Sequence, residues 1–319
     1  IKASEKPAYE RNHKTVCLMK ADGIGDTLIW LGSFRILYQY YREQGYHVVL
    51  ICAAPNKIFY EESFEFLELV EIDIRKMYQL RYRYEILKKI RCIPMDIIVN
   101  CAYSRTISID SVVRVCSASQ KLGNSGDTVN TPAFVRWLTV RIYTDLAPGT
   151  SEINEMSKNK NLLQWIGVRE PKETLAQLPP SFSEEGIVEG DYFVAFPGAS
   201  LTNKCWPVER FGECCNWILE KKDWKLVICG GNGDVAVCNQ LADLIEKKDR
   251  VIDLAGKTSI KQLSSVISKS SFLITNDTSA VHFGIIWKIP NICISKGCDI
   301  GRFVPYHGEV LAENHIIHK

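Results

Sequence analysis

The chain has 319 residues, 46% hydrophobic and 24% charged, with 39 basic against 37 acidic side chains and a formal net charge of +2. Near-balanced charge excludes a dedicated nucleic-acid binder, ordinary hydrophobicity excludes a disordered chain, and the length suits two domains better than one core. Twelve cysteines run from Cys17 to Cys298 without a C-x-x-C pair, which reads as buried reduced thiols rather than a disulfide scaffold or a zinc site.

The first residues, IKASEKPAYERNHK, are polar and hold no apolar signal core, and no stretch approaches the roughly 18 apolar residues of a membrane span. A cytoplasmic protein is expected. Thr15 to Ala21 (TVCLMKA) reads as a buried strand, broken at Asp22-Gly23-Ile24-Gly25-Asp26 and followed by a helical pattern from Thr27 to Gln44 that Gly45 stops. A strand over His47 to Ala53 and a helix near Tyr60 to Leu69 make this a βαβ unit, hence a parallel sheet. Residues 75 to 91 carry seven basic side chains against one acid with tyrosines between them, and 95 to 103 read as a further strand. Beyond it the pattern degrades: 118 to 132 is turn-rich, 151 to 166 reads as a polar helix, and Pro171 and Pro179-Pro180 mark a boundary near residue 180.

The second half repeats the theme. Strands are expected at 192–199, 225–231, 251–255, 271–275 and 290–297, with helices at 206–222, 234–246 and 259–270. The expected fold is α/β, two Rossmann-like domains (1–180 and 181–319) with parallel sheets whose carboxyl edges face a cleft, where small-molecule sites usually lie.

Several stretches carry chemistry. In residues 22–26 two glycines let the backbone turn off the strand, and Asp26 either caps helix N–H groups or presents its carboxylate to a ligand. In PGASLTNKCWPVERF (197–211), Ser200, Thr202 and Lys204 precede a helix start and can surround a pyrophosphate with hydroxyls, an ammonium and N–H groups. Gly231-x-Gly233-x-x-Ala236, with Asp253 20 residues beyond Gly233, satisfies a dinucleotide fingerprint and makes an NAD-dependent oxidoreductase a competing reading. Gly256-Lys257-Thr258 lacks the upstream glycine of a P-loop. Asn276-Asp277-Thr278-Ser279 is a polar turn between a strand and a helix bearing His282, which is either a hydrogen-bonded core residue or a ligand contact. The basic run is either a solvated helix face or the receiver of an anionic acceptor. No Asp-x-Asp occurs and no histidine has a metal-like neighbour, so no metal is expected.

Three of these stretches carry a resemblance. Asp277-Thr278-x-x-x-His282, the Ser200-x-x-x-Lys204-x-Trp206-Pro207 spacing and the Gly25-Asp26 loop are similar to the signatures of family 9 glycosyltransferases, the bacterial heptosyltransferase group; 302–306 also looks like a family ending. The resemblance implies the GT-B fold, with an acceptor-binding first domain and a nucleotide-sugar-binding second domain. It also implies inverting, metal-independent transfer of a sugar, a heptose from ADP-heptose in most of the group, to a saccharide acceptor of lipopolysaccharide or a related surface glycan. No cofactor is implied, the nucleotide-diphospho-sugar being a co-substrate. Asp26 inherits the role of base and Lys204 that of stabilising the leaving diphosphate. Ser200, Thr202, Gly230, Gly231, Asp234, Gly256, Lys257, Thr258, Asp277, Thr278, Ser279 and His282 inherit donor contacts, and Gly25, Arg81 and Arg83 are expected on the acceptor side. Asp234 stands where a Glu is more usual, and Ser279-Ala280-Val281 where a glycine often follows. The family's closing helix, which returns to the first domain, is not spelled out after Tyr306, so a truncation is expected. A catalytically inactive sugar-nucleotide-binding relative is a further alternative. Contact with the inner membrane surface is a last expectation.

Overall fold

The structure, a computed structural model, describes residues 13–297 and 300–306 and the backbone of 314–318. The chain divides into two compact units, Ile1–Glu173 and Thr174–Lys319.

The first unit is built on β1 (Thr15–Lys20), β2 (His47–Ala53), β3 (Leu67–Ile72), β4 (Ile97–Asn100), β5 (Gln120–Asn124) and β6 (Asp145–Ala147). They form one parallel sheet in the order β3-β2-β1-β4-β5-β6. Val16, Cys17, Leu18 and Met19 of β1 are fully buried, as an apolar run in a central strand covered on both faces must be. The connections carry α1 (Ile24–Glu43), α2 (Ile58–Glu61), α3 (Leu80–Arg91), α4 (Ile107–Val115) and α5 (Ala133–Thr139), and α6 (Glu155–Ile166) follows β6 and packs on α1.

Two expectations are corrected. The helix read over Tyr60 to Leu69 is only the single turn α2, and the second half of that segment is β3. Phe66 takes a left-handed backbone (φ 58°) that interrupts any helix, and Val70 and Ile72 then bury alternate side chains while Glu71 faces out. The turn-rich stretch 118–132 contains β5. Leu122 is the sole large apolar residue of that strand, which is held by pairing with β4 and by Gly123, where a Cβ would lie 2.8 Å from the Tyr143 ring.

The second unit repeats the plan. After α7 (Ser181–Glu184) come β7 (Tyr192–Phe196), α8 (Val208–Lys221), β8 (Lys225–Ile228), α9 (Val235–Leu244), β9 (Val251–Asp253), α10 (Ile260–Ser268), β10 (Phe272–Asn276), α11 (Ser279–Ile286), β11 (Asn291–Ser295) and β12 (Asn314–His318). The sheet is parallel in the order β12-β11-β10-β7-β8-β9. Its core joins Phe193, Phe211, Leu226, Ile228, Leu241 and Ile274 between the strands and α8 and α9.

In each sheet the chain winds outward from its first strand and then returns to that strand's other side. The reversal falls between β1 and β4 in the first unit and between β7 and β10 in the second. Loops leaving the carboxyl ends of these strands diverge there and open a crevice, the usual ligand position in open α/β sheets.

Candidate functional site

In the second unit the reversal is fastened by one residue. Asn276 ends β10 and is fully buried. Its amide donates to the Pro197 carbonyl at 2.6 Å and the Gly198 carbonyl at 3.5 Å, and its side-chain oxygen accepts from the Trp206 N–H at 3.0 Å. Both ends of the 197–206 loop are thus tied to β10, so Ser200 and Lys204 lie on a loop closed at its base. Ser200 is exposed, and Lys204 sits half-buried in a short turn over Thr202–Lys204. The side chain of Thr202 lies outside the described residues.

After Asn276, the Asp277 N–H bonds to the Ile294 carbonyl of β11 at 3.0 Å, leaving a half-buried side chain at the sheet edge. Thr278 is the N-cap of α11, its hydroxyl accepting from the Ala280 N–H at 3.3 Å. Ser279 opens that helix, whose first N–H groups and dipole favour an anion.

The loop after β8 packs against the loop after β7. A Cβ on Gly198 would lie 2.2 Å from the Asp234 Cγ, and one on Gly230 2.8 Å from both Asp234 Cβ and Cys238 Sγ. Asp234 itself accepts from the Gly231 N–H at 2.8 Å. The loop after β9 joins them through Gly256, left-handed at φ +68°, whose N–H donates to the Gly230 carbonyl at 2.9 Å. Lys257 folds back on Asp253, and Thr258 precedes Ser259, which caps α10 in a reciprocal pair with Gln262. Ser200, Lys204, Gly230, Gly231, Asp234, Gly256, Lys257, Thr258, Asp277, Thr278 and Ser279 are therefore gathered along one edge of one sheet.

His282 stands apart from that edge in character. It is 3% exposed, its Nδ1 is 2.9 Å from the Tyr306 hydroxyl, and the rings stack 5.8 Å apart. Burial lowers its pKa to about 4, so the imidazole is neutral at pH 7. This pair fastens α11 to the 300–306 segment.

The dinucleotide fingerprint loses its physical basis in this geometry. Ala236, its third small position, is exposed instead of packing on the strand; the close approach is made by Gly230 and Cys238, neither of which is a position of the pattern. Asp253, the candidate ribose acceptor, is occupied by the Ala255 N–H at 2.9 Å and by Lys257. The loop also follows β8 rather than the first strand of its unit, where such a fingerprint belongs.

In the first unit, Gly23 is the N-cap of α1 and supplies no side-chain cap; Gly25 and Asp26 lie in the first turn. The Asp26 carboxylate folds back over the loop, its Oδ2 being 3.3 Å from where a Gly23 Cβ would stand. Three residues that a local reading passed over build this loop. Asn56 is buried and donates to the Asp22 carbonyl at 2.9 Å and to the Thr27 hydroxyl at 2.6 Å. Lys20, 4% exposed at the end of β1, pairs with Asp22 at 2.8 Å. Burial alone would lower the Lys20 pKa, but the carboxylates of Asp22, Asp26 and Glu155 outweigh it and hold the ammonium above its ordinary range. Glu155, on α6, is itself paired with Lys158 at 3.0 Å, both nearly buried. Two lysines and three carboxylates thus share the β1 edge.

Arg81 and Arg83 lie on α3, the first almost fully exposed and bonded to Glu85 at 3.2 Å, the second half-buried. The described cysteines form no disulfide, and among the described residues no group of three or more His, Cys, Asp or Glu is placed to hold a metal ion.

Comparison with known proteins agrees with this geometry. The model of glycosyltransferase family 9 (heptosyltransferase) matches residues 138–312, which include every loop of the second-unit edge. Among curated relatives, lipopolysaccharide heptosyltransferase 3 of Escherichia coli is 24% identical over 227 residues, covering 68% of this chain and 64% of that protein. Lipooligosaccharide heptosyltransferase 2 of Campylobacter jejuni is 25% identical over 115 residues, 35% of this chain and 36% of that one. The matches to curated relatives thus span about a third to two-thirds of their length. Among solved structures, a family 9 glycosyl transferase from Veillonella parvula superimposes with a TM-score of 0.72 at 16% identity, covering 96% of this chain and 86% of that one. E. coli heptosyltransferase WaaC with ADP-2-deoxy-2-fluoro heptose gives 0.71 at 15%, covering 95% and 92%. Those likenesses establish the GT-B fold, and with more than half of the chain under the family model, the protein belongs to glycosyltransferase family 9.

Proposed function

We propose that the protein transfers a heptose from ADP-heptose to a saccharide acceptor of lipopolysaccharide or a related surface glycan, with inversion and without a metal ion. The observation that carries the reading is the single sheet edge on which Asn276 ties the loop bearing Ser200 and Lys204 beside the Asp277-Thr278 turn, within the stretch the family model matches. The relatives' names supply the sugar and the acceptor class.

Asp26 acts as general base. It takes the proton of the acceptor hydroxyl as that oxygen attacks the anomeric carbon, and the bond from that carbon to the diphosphate breaks on the opposite side. The departing diphosphate gains negative charge, which Lys204, the hydroxyls of Ser200 and Thr202 and the opening N–H groups of α11 offset. Asp277 orients the donor sugar, and Gly230, Gly231, Asp234 and the 256–258 turn bound the nucleoside. Gly25, Arg81 and Arg83 belong to the acceptor side.

The donor assignment is tested by melting shifts. ADP and ADP-heptose are expected to raise the unfolding midpoint, and NAD(H) to leave it unchanged. Stabilisation by NAD(H) and not by ADP would overturn the reading in favour of an oxidoreductase.

A further inference from the structure

The amino edge of the first sheet, opposite the edge that bears Asp26, holds a cleft that neither folding nor sugar transfer accounts for. Its volume is about 630 Å³, within the usual range of a small-molecule site, and it lies where the chain enters β1, β2 and β3. Beside Gly45 it is lined by His13, Arg42, His47, Phe66, Leu67 and Glu68.

Phe66 sets this cleft apart. Three described non-glycine residues have positive φ, namely Phe66, Glu170 and Lys288, and of these Phe66 alone is apolar. A bulky side chain in the left-handed region is strained, and here the strain gains no burial, because Phe66 is 73% exposed. Its neighbour Phe64 is half-buried and packs edge-on against Phe34 and Tyr38, so the aromatic cluster takes Phe64 and leaves Phe66 in the cleft. Tyr38 donates its hydroxyl to the Glu65 carbonyl and so fixes the segment between the two rings. Backbone strain that serves no packing is characteristic of ligand contacts.

The charges around the ring give the ligand's chemistry. The Arg42 guanidinium stands 5.4 Å from the Phe66 ring centroid, and its Nη1 donates to the Tyr46 carbonyl at a long 3.4 Å. Lys14 lies over the Tyr46 ring at 5.9 Å, and His13 is exposed. Glu68, the acid of the lining, is already paired with the His47 Nε2 at 3.2 Å. The cleft thus offers an open aromatic ring beside cationic groups, with its carboxylate engaged.

We propose that this cleft binds a small molecule made of a planar aromatic ring bearing an anionic group, the ring on Phe66 and the anion on Arg42 and His13. The proposal is independent of the glycosyl-transfer reading, since none of these residues lies on a carboxyl edge.

The test follows the unfolding midpoint of the whole chain with 2-naphthoate, 2-naphthyl phosphate, cyclohexanecarboxylate and inorganic phosphate. The two naphthyl compounds are expected to raise it and the other two to leave it unchanged; the larger of the two shifts tells carboxylate from phosphate as the preferred group. Titration with that compound should show an affinity about tenfold lower in Phe66→Gly and in Arg42→Gln, and about threefold higher in Glu68→Gln, which removes the acid. Glycine adopts φ 58° without strain, so Phe66→Gly should unfold no earlier than the native chain. The naphthyl shift should persist in the presence of ADP. No response to either naphthyl compound, an equal response to phosphate and cyclohexanecarboxylate, or an affinity indifferent to Phe66→Gly and Arg42→Gln would overturn the proposal. So would loss of the naphthyl response when ADP is added, because the compound would then be seated on the donor edge.

Discussion

The residues that matter most here act through long-range partners. Asn276 bonds to carbonyls nearly eighty positions earlier, and Lys20 feels a carboxylate on α6, far along the chain. Buried ion pairs such as Lys20–Asp22 contribute little net stability, because desolvation offsets most of their attraction. Two of them beside Asp26 are better understood as fixing the loop that bears it. His282 allows a direct test. Its folded pKa, about 4, lies below the ordinary 6.5, so the unfolded chain binds the extra proton between those values. Its contribution is complete above about pH 6.5 and is lost as pH falls toward 4, amounting to roughly 3 kcal/mol over that window. Chemical denaturation between pH 7 and 4 should show this loss, and His282→Gln should flatten it; an unchanged slope in the variant would assign the acid sensitivity elsewhere.

At the scale of elements, legibility follows burial. β1, β2, β7, β8 and β10 are apolar runs covered on both faces, and their composition announces them. β5 and β6 are a five-residue strand with one large apolar side chain and a three-residue strand, and pairing rather than composition holds them. The loops bearing Asp26, Lys204 and Asp277 were legible because glycine and polar turn residues punctuate strong strands. Their packing was not, because it depends on which loops the sheet order makes neighbours. Gly198 shows this. Alanine there would drive its Cβ into Asp234, part the 197–206 and 229–234 loops, cost about 1–3 kcal/mol and weaken ADP binding. Alanine at Gly233, where a Cβ meets nothing within 4 Å, should stay within about 0.5 kcal/mol. Thermal unfolding and ADP titration of both variants check the contrast, and equal losses would contradict it.

For the whole molecule, each unit places its candidate residues where its sheet order reverses, Asp26 after the first strand of one and the donor loops after the inner strands of the other. Family membership and fold are established for the chain, and sugar transfer is the claim still to be measured. The direct measurement is ADP release from ADP-heptose with and without a heptose-bearing acceptor, in the native chain and in Asp26→Asn. Release that depends on acceptor and falls by about 10²–10⁴-fold in Asp26→Asn, with the ADP-heptose melting shift retained, is the expected result. Acceptor-dependent release that Asp26→Asn leaves intact would contradict the account.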